Sequence, residues 1–304
     1  MSQIQNLADF YSVRPFCAVR LNEIADTSMR HLVERFSTDS CTHMRCPDDT
    51  VLCKVLGKYL MWVDANDEGL APHLVLQGYW EMWVTQALAR YTKPNTTALD
   101  IGANVGYYTM LLADAVGEGG KVYAFEPNNR LAKLVRKSAS VNGFRSRVTV
   151  SAIALSDHDA ESVGFAIPKA DPKNAGLATS PEAIRAFEEQ HDVVDVISCA
   201  QSSVDTLGLA NIGTVKIDVE GAEYSVWSGM KQTIKRSPEI IIAMEANASR
   251  GYDIKQFYDE MLTLFSEVRH IDFDGNIRSL TMEMLVNERV GQDWMIFLSN
   301  SQSE

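Results

Sequence analysis

The chain has 304 residues, 46% hydrophobic and 22% charged, with a formal net charge of −12. These are ordinary values for a globular fold, and a surface of that sign repels nucleic-acid phosphates and anionic lipid unless basic residues cluster; no long Lys/Arg run occurs. No stretch of about 18 apolar residues is present, so no membrane span is expected. The start, MSQIQNLADFYSVRPF, lacks the basic residues and apolar stretch of a secretory signal. Five cysteines, Cys17, Cys41, Cys46, Cys53 and Cys199, are odd in number and unevenly spread, which argues against a disulfide framework and points to the cytoplasm.

In chain order, Leu21, Ile24, Leu32, Val33 and Phe36 fall near one face at helical period. That stripe is read as packing onto a core or forming a homodimer contact. Val51–Leu56 and Tyr59–Asp64 flank Gly57-Lys58 and read as a hairpin. Residues 1–75 are thus an N-terminal extension, and 76–304 the main domain. From Thr97 strands and helices alternate. Strands are predicted at Thr97–Ile101, Lys121–Phe125, Val148–Ala152, Thr214–Asp218 and Glu239–Met244, with the last two at Val268–Ile271 and Trp294–Leu298. Helices are predicted over 107–116, Asn129–Asn142 (where the small Ser138 slightly weakens the apolar stripe), around Ala222–Met230, and Ile254–Phe265. Such alternation implies an α/β fold with a mostly parallel sheet covered on both faces. The stretch 160–201, rich in Pro and Gly near its middle, reads as an irregular insertion over the active-site edge with a short helix near Pro181–Glu189.

The informative stretch is ALDIGANVGYYTMLLADAVGEGGKVYAFEPNN. Asp100 lies near the end of the first core strand, and Gly102 and Gly106 bracket a tight turn into a helix. Ligands of open α/β sheets bind beyond the carboxyl ends of the strands. Glu126 ends the second strand, where a carboxylate can accept hydrogen bonds from ribose hydroxyls. Position 104 is Asn, so the three-glycine dinucleotide fingerprint is not met; neither is the P-loop. Asp100 is a poor neighbour for phosphate and a good one for an ammonium. The pair of acids favours a ligand without phosphate and with positive charge, such as S-adenosylmethionine (SAM).

DIGANVGYYT, FEP at 125–127, ALS at 154–156, VDTL at 204–207 and VKIDVEGAE at 215–223 together resemble the FkbM-type methyltransferases, over roughly 70–298; GYWE at 78–81 is similar to the family segment before the core. The resemblance implies a class I methyltransferase Rossmann-like fold: a doubly wound, mostly parallel, seven-stranded sheet with one antiparallel edge strand, here with a helical and hairpin extension. It implies SAM as cofactor and S-adenosylhomocysteine (SAH) as product. Family members mostly methylate hydroxyl oxygens, often on sugars or polyketide-derived natural products, so a hydroxylated small molecule is the expected acceptor. Asp100, Gly102, Asn104 and Gly106 would line the methionine end of SAM, with Tyr107 on the same wall. Glu126 would hold the ribose, Ala154 would lie near the adenine, and Asp218, Glu220 and Gly221 beside the transferred methyl. Glu81 is a further cofactor-side candidate.

Read on its own, VKIDVEGAEYSVW places Lys216, Asp218 and Glu220 at strand period where a central strand should be apolar. Three charges at its carboxyl end point to the ligand edge, or to a structural ion pair there. Asp218 or Glu220 is the candidate general base, with Lys216 the third catalytic candidate. Asp218, Glu245 and Asn247 would suit Mg2+, but strand-end carboxylates commonly serve without metal, and no metal site is assigned. Cys41, His43, Cys46 and Cys53 lack the paired spacing of a zinc site and read as free thiols and a surface histidine. His191 and His270 are reserve candidates for the base. Tyr79 and Trp80 are read either as a stacking platform for an acceptor ring or as core anchors. The competing functions are a protein or nucleic-acid methyltransferase on the same fold and a non-catalytic SAM-binding scaffold. The first is disfavoured by the charge and by the absence of an Asn/Asp-Pro-Pro-Tyr/Phe block, the second by the intact acidic positions.

Overall fold

The computed structural model describes residues 18–169, 171–178, 180–190, 194–289 and 291–300. Its main sheet is built from Thr97–Ile101 (β1), Lys121–Phe125 (β2), Val148–Ser151 (β3), Ile212–Ile217 (β4), Ile241–Ala246 (β5), Arg269–Ile271 (β6), Ile277–Ser279 (β7) and Trp294–Ser299 (β8). The order is β7-β6-β8-β5-β4-β1-β2-β3. Strands β3 to β5 run parallel. Strand β8 is antiparallel to both β5 and β6, and β7 is antiparallel to β6. This is the class I methyltransferase Rossmann-like fold. Two details differ from the expectation: the sheet has eight strands rather than seven, and the long antiparallel strand β8 is internal rather than at the edge. The short hairpin turning at Gly275 lets the chain lay β7 outside β6, and the return strand Trp294–Ser299, buried at every position, takes the protected slot beside β5.

Alternate residues of each strand serve opposite faces. Ile241 and Ala243 join one buried cluster with Met295 and Phe297, while Ile242 and Met244 join another with Trp294, Ile296 and Leu298. The first face is covered by Tyr107–Ala115 (α1), Asn129–Val141 (α2) and the helix Met82–Tyr91, the second by Glu223–Ser228 (α3), Lys231–Arg236 (α4) and Ile254–Leu264 (α5). Fully burying a side chain the size of Phe257 on that second face contributes about 1.5–3 kcal/mol. Asn128 starts α2 by accepting from the Arg130 N–H, and Asp253 starts α5 by accepting from those of Lys255 and Gln256. Among the described residues, no helix is long and apolar enough to cross a membrane.

The N-terminal stripe packs into the first cluster, where Ile24, Leu32, Val33 and Phe36 meet Met61, Leu88 and Leu131. The predicted hairpin forms and gains a third strand, His43–Arg45. Its turn centres on Leu56-Gly57, both at positive φ, one residue earlier than the Gly57-Lys58 reading. A Cβ on Gly57 would strike the Phe36 ring at 2.6 Å. Strand Tyr59–Asp64 lies along α2. Arg130 binds Asp64 through two nitrogens, and Ser138 Oγ accepts from the Trp62 N–H at 2.9 Å. Ser138 is therefore a docking point for the hairpin rather than a weakness in the stripe.

The insertion also differs from expectation. It is mostly sheet, not irregular: Ala160–Pro168 and Val194–Ser202 pair antiparallel over most of their length, flanked by Ile153–Leu155 and Gly176–Leu177. Only the connection around Pro172–Asn174 is a short 3-10 turn, followed by the predicted helix at Pro181–Gln190. The Pro and Gly residues that suggested irregularity mark element ends instead: Pro168 closes a strand, Pro172 opens the 3-10 turn, Gly176 starts the short strand and Pro181 opens the helix.

Candidate active site

The strand order reverses between β1 and β4, and the cavity opens at their carboxyl ends, as this topology dictates. Its volume is about 280 Å3. One wall is the β1–α1 loop, the next the end of β2 and the strand Ile153–Leu155, the third the end of β4 with Glu245, Arg250 and Asp293. Trp80, Glu81 and the connection Pro172–Ala175 close it from above the core.

Gly102, at φ +79°, is required by contact: a Cβ there would fall 1.8 Å from the Asp218 carbonyl oxygen. The β1 and β4 loops are thereby pressed together, and the Asp218 N–H donates to Ile101 O at 3.1 Å. Glu126 is buried, and its Oε2 and Oε1 accept from the backbone N–H groups of Asn104 and Asn128, each at 2.8 Å. Burial pushes the carboxyl up to about 7, against the lowering effect of those two bonds. Tyr107 lines the cavity and shares a 3.0 Å hydrogen bond with Thr85; Asn104 and Ala154 also line it.

Two predicted cofactor residues stand elsewhere. Asp100 is completely buried beneath the wall, where Oδ2 accepts from Thr109 Oγ1 at 2.5 Å. Burial drives its pKa upward, opposed first by the Lys216 charge. Its place is under the cavity floor near the Lys216 charge, outside the lining. Gly106, at φ +89°, lies outside the wall and opens α1; its missing Cβ makes room for Val135 of α2.

At the mouth of β4, Lys216 Nζ lies 3.0 Å from Asp218 Oδ2 and 4.9 Å from the centre of the Tyr108 ring. Burial works against the ammonium, but the carboxylates of Asp218 and Asp100 outweigh it and hold its pKa above the ordinary lysine range. Glu81, in a left-handed conformation at φ 34°, also lines the cavity and accepts from Tyr108 OH at 2.7 Å. Burial, with repulsion from Asp218, pushes it up to about 7.

Beyond Asp218 the chain turns through Glu220 and Gly221, both at positive φ, and Glu223 clamps the turn by accepting from the N–H groups of Val219 and Gly221. Arg250, absent from the sequence reading, is the hub of this corner. Its guanidinium contacts Glu220 at 3.0 Å, Glu223 at 3.3 Å, Glu245 at 2.8 Å and Asp293 at 3.0 Å. Burial and repulsion from Asp218 push the Glu220 and Glu245 carboxyls upward, against the Arg250 charge beside them. Among the described residues, Asp218, Glu220 and Glu245 each bring a carboxylate oxygen close enough to share a cation. Asn247 Oδ1 is taken by the N–H and hydroxyl of Ser249.

The remaining candidates separate. Tyr79 and Trp80 both pack against the core, and Trp80 also lines the cavity. His270 is buried edge-on to Trp294 at 4.9 Å, away from the cavity, and His191 lies outside the described residues. Cys41, Cys46, Cys53 and Cys199 are free thiols, and Cys41 and Cys46 are turned to the backbone carbonyls of Val75 and Met44. Cys17 lies outside the described residues.

A family model described as the methyltransferase FkbM domain matches residues 100–272. The chain belongs to the FkbM methyltransferase family. That family is SAM-dependent, and the match runs from Asp100 through the β4 motif to the end of β6. A stretch of 58 residues is 41% identical to the protein-L-isoaspartate O-methyltransferase of Aeropyrum pernix, covering 19% of this chain and 22% of that one. The chain thus matches about a fifth of the length of that curated relative. Among solved structures, the FkbM methyltransferase of Methylobacillus flagellatus aligns at 14% identity over 71% of this chain and 53% of that one, with a TM-score of 0.43. A SAM-dependent O-methyltransferase of Thermotoga maritima aligns at 16% identity over 74% and 67%, with a TM-score of 0.40.

Proposed function

We propose that this FkbM-family protein binds SAM and transfers its methyl group to a hydroxyl oxygen of a small molecule, a sugar or a glycoside- or polyketide-type natural product. The observation that carries the reading is that Glu126 with Asn104, and Asp218 with Lys216, line one and the same cavity.

The residues fit the cofactor. Each Glu126 oxygen already accepts one backbone N–H and keeps lone pairs for ribose hydroxyls. Asn104 Oδ1 is a buried acceptor with no protein partner, and the Gly102 turn brings backbone to the cavity. When bound, SAM supplies an electrophilic methyl carbon on a sulfonium. The side chains then have to orient a hydroxyl and take its proton. Correct positioning alone is worth about 7–11 kcal/mol in favourable cases.

Asp218 is the group for the proton. It follows β4 directly, lines the cavity, and is held at one oxygen by Lys216. Glu220 is less suited, because its carboxylate is tied to the Arg250 guanidinium at 3.0 Å. Lys216 acts through Asp218 and is a positioning residue. Glu81 offers a second carboxyl oxygen toward the cavity, which suits an acceptor with several hydroxyls.

Calorimetric titration with SAM and SAH, paired with a labelled-methyl transfer assay, tests the proposal. One-site binding that Glu126→Ala weakens at least tenfold, together with a base-stable methyl ether product, is expected. Folded protein that binds neither compound, or a product that is a base-labile methyl ester, would overturn it.

A further inference from the structure

Three cations line the cavity: Lys173, Lys216 and Arg250. Two are committed to protein carboxylates, Lys216 to Asp218 and Arg250 to its four partners. Lys173 forms no ion pair among the described residues. Its Nζ lies over the Trp80 ring, 5.7 Å from the centroid. The stem is held in place: a Cβ on Gly69 would fall 2.9 Å from Lys173 Cε, so the absence of a side chain at 69 is what admits it. The neighbouring Asp171 presses the same spot, its Oδ1 lying 2.0 Å from that Cβ position, and Asp171 Oδ2 accepts from Asn174 Nδ2 at 2.8 Å. His73 supports Trp80 from the side, with ring centres 4.9 Å apart. The extension and the insertion thus meet to bring to the cavity one ammonium without an ion-pair partner among the described residues.

The acidic side chains of the cavity gather instead around the other two cations, Asp218 and Glu81 by Lys216, and Glu220, Glu245 and Asp293 on Arg250. An anionic group on an acceptor would be repelled from the carboxylates around Asp218 and attracted to Lys173. We infer that the acceptor carries an anionic substituent, a carboxylate or phosphate, remote from the methylated hydroxyl, and that Lys173 on its Trp80 platform selects for it. This rests on the hydroxyl-transfer reading above. Trp80 contributes the apolar face for the body of the acceptor, and the charge at Lys173 sets which end points toward Asp218.

The test uses the whole chain and a small-molecule metabolite extract of the cells that make it. Methyl-labelled SAM is turned over in the extract, and the product is fractionated on an anion exchanger at pH 7, with and without phosphatase. Label retained on the exchanger is expected; retention that phosphatase abolishes identifies a phosphate, and retention that survives identifies a carboxylate. Label in the flow-through from the start would overturn the inference while leaving hydroxyl transfer standing. No labelled product from protein that binds SAM would overturn both. With the retained product's precursor as substrate, Lys173→Met should raise KM about ten- to a hundredfold, the worth of a charge-assisted hydrogen bond, with kcat nearly unchanged and Lys173→Arg restoring most of the loss. A KM unmoved by Lys173→Met, or a loss that appears in SAH affinity instead, would show that Lys173 serves packing or the cofactor and not the acceptor.

Discussion

The Asp218 carbonyl oxygen occupies the space beside Gly102 so closely that a Cβ at 102 would come within 1.8 Å of it. The contact is backbone to backbone, so no side-chain rotation can relieve it. Gly102→Ala must also hold a side chain at φ +79°. The substitution should cost about 2–5 kcal/mol in denaturant unfolding, combining strain and overpacking. Because the two loops it separates carry the proposed cofactor wall and the proposed base, SAH affinity should fall at least tenfold by calorimetry. A variant with unchanged stability and affinity would mean that the loops are not in this contact in solution.

Asp218→Asn keeps the shape of the side chain and removes its basicity. Turnover should fall about 10²–10⁴-fold, the usual worth of a general base, with SAH affinity changed only a few-fold. Lys216→Met should give a smaller loss of kcat with a distinct signature. Without the cation 3.0 Å away, the Asp218 carboxylate loses the contact that fixes its position, so the loss should appear in kcat with the acceptor KM nearly unchanged, and Lys216→Arg should restore part of it. A loss carried by KM alone would exclude the positioning role.

The unliganded protein should lose stability as pH rises. Burial pushes Glu81 and Glu126 up to about 7, above the ordinary glutamate value of about 4.3 that holds in the unfolded chain. A group whose folded pKa is raised binds protons more tightly in the folded state, so its contribution is complete below the unfolded pKa and is lost as pH passes the folded one. The window is therefore about pH 4 to 7 for this pair, extended upward by Glu220 and Glu245. Tm measured without ligand should decline from pH 5.5 to 8.5, and SAM, by bringing positive charge, should narrow the decline. A Tm that climbs across this range would contradict the buried placement of these carboxyls.

Arg250 neutralises a corner that would otherwise hold Glu220, Glu223, Glu245 and Asp293 together. Arg250→Met strands those charges, and a loss of about 2–4 kcal/mol in chemical denaturation is expected, somewhat below a fully buried pair because the site is partly open. The guanidinium already contacts two of the carboxylates that a divalent ion would need, Glu220 and Glu245. Wild-type activity should accordingly be indifferent to EDTA. Activity lost to EDTA and restored by Mg2+ would show that Arg250 gives way to a metal.

Much of this was legible before any tertiary contact was known. The alternation of apolar strands with stripes such as Leu131–Leu134–Val135 is a local property of the chain, and it specified the parallel core. The acid and glycine positions around Asp100 and Glu126 were likewise legible, because strand ends and tight turns leave short-range signatures. Arg250 left none. It is a single arginine in a turn after β5, and its meaning arises only when that turn folds back over Glu220 and Glu223. The same holds for Lys173, whose environment combines Gly69, Trp80 and a connection far away in the chain.

The sequence by itself determined the fold class, the family and the ends of β1, β2 and β4 as the candidate site, since each follows from residue periodicity and from motifs of a few neighbouring residues. The tertiary structure alone decided that Asp100 lies under the floor and not in the wall, that the insertion is a sheet closing the cavity, that β8 sits inside the edge, and which cations are neutralised. Those outcomes depend on burial and on charge pairing between distant segments, and neither quantity exists until the chain has folded.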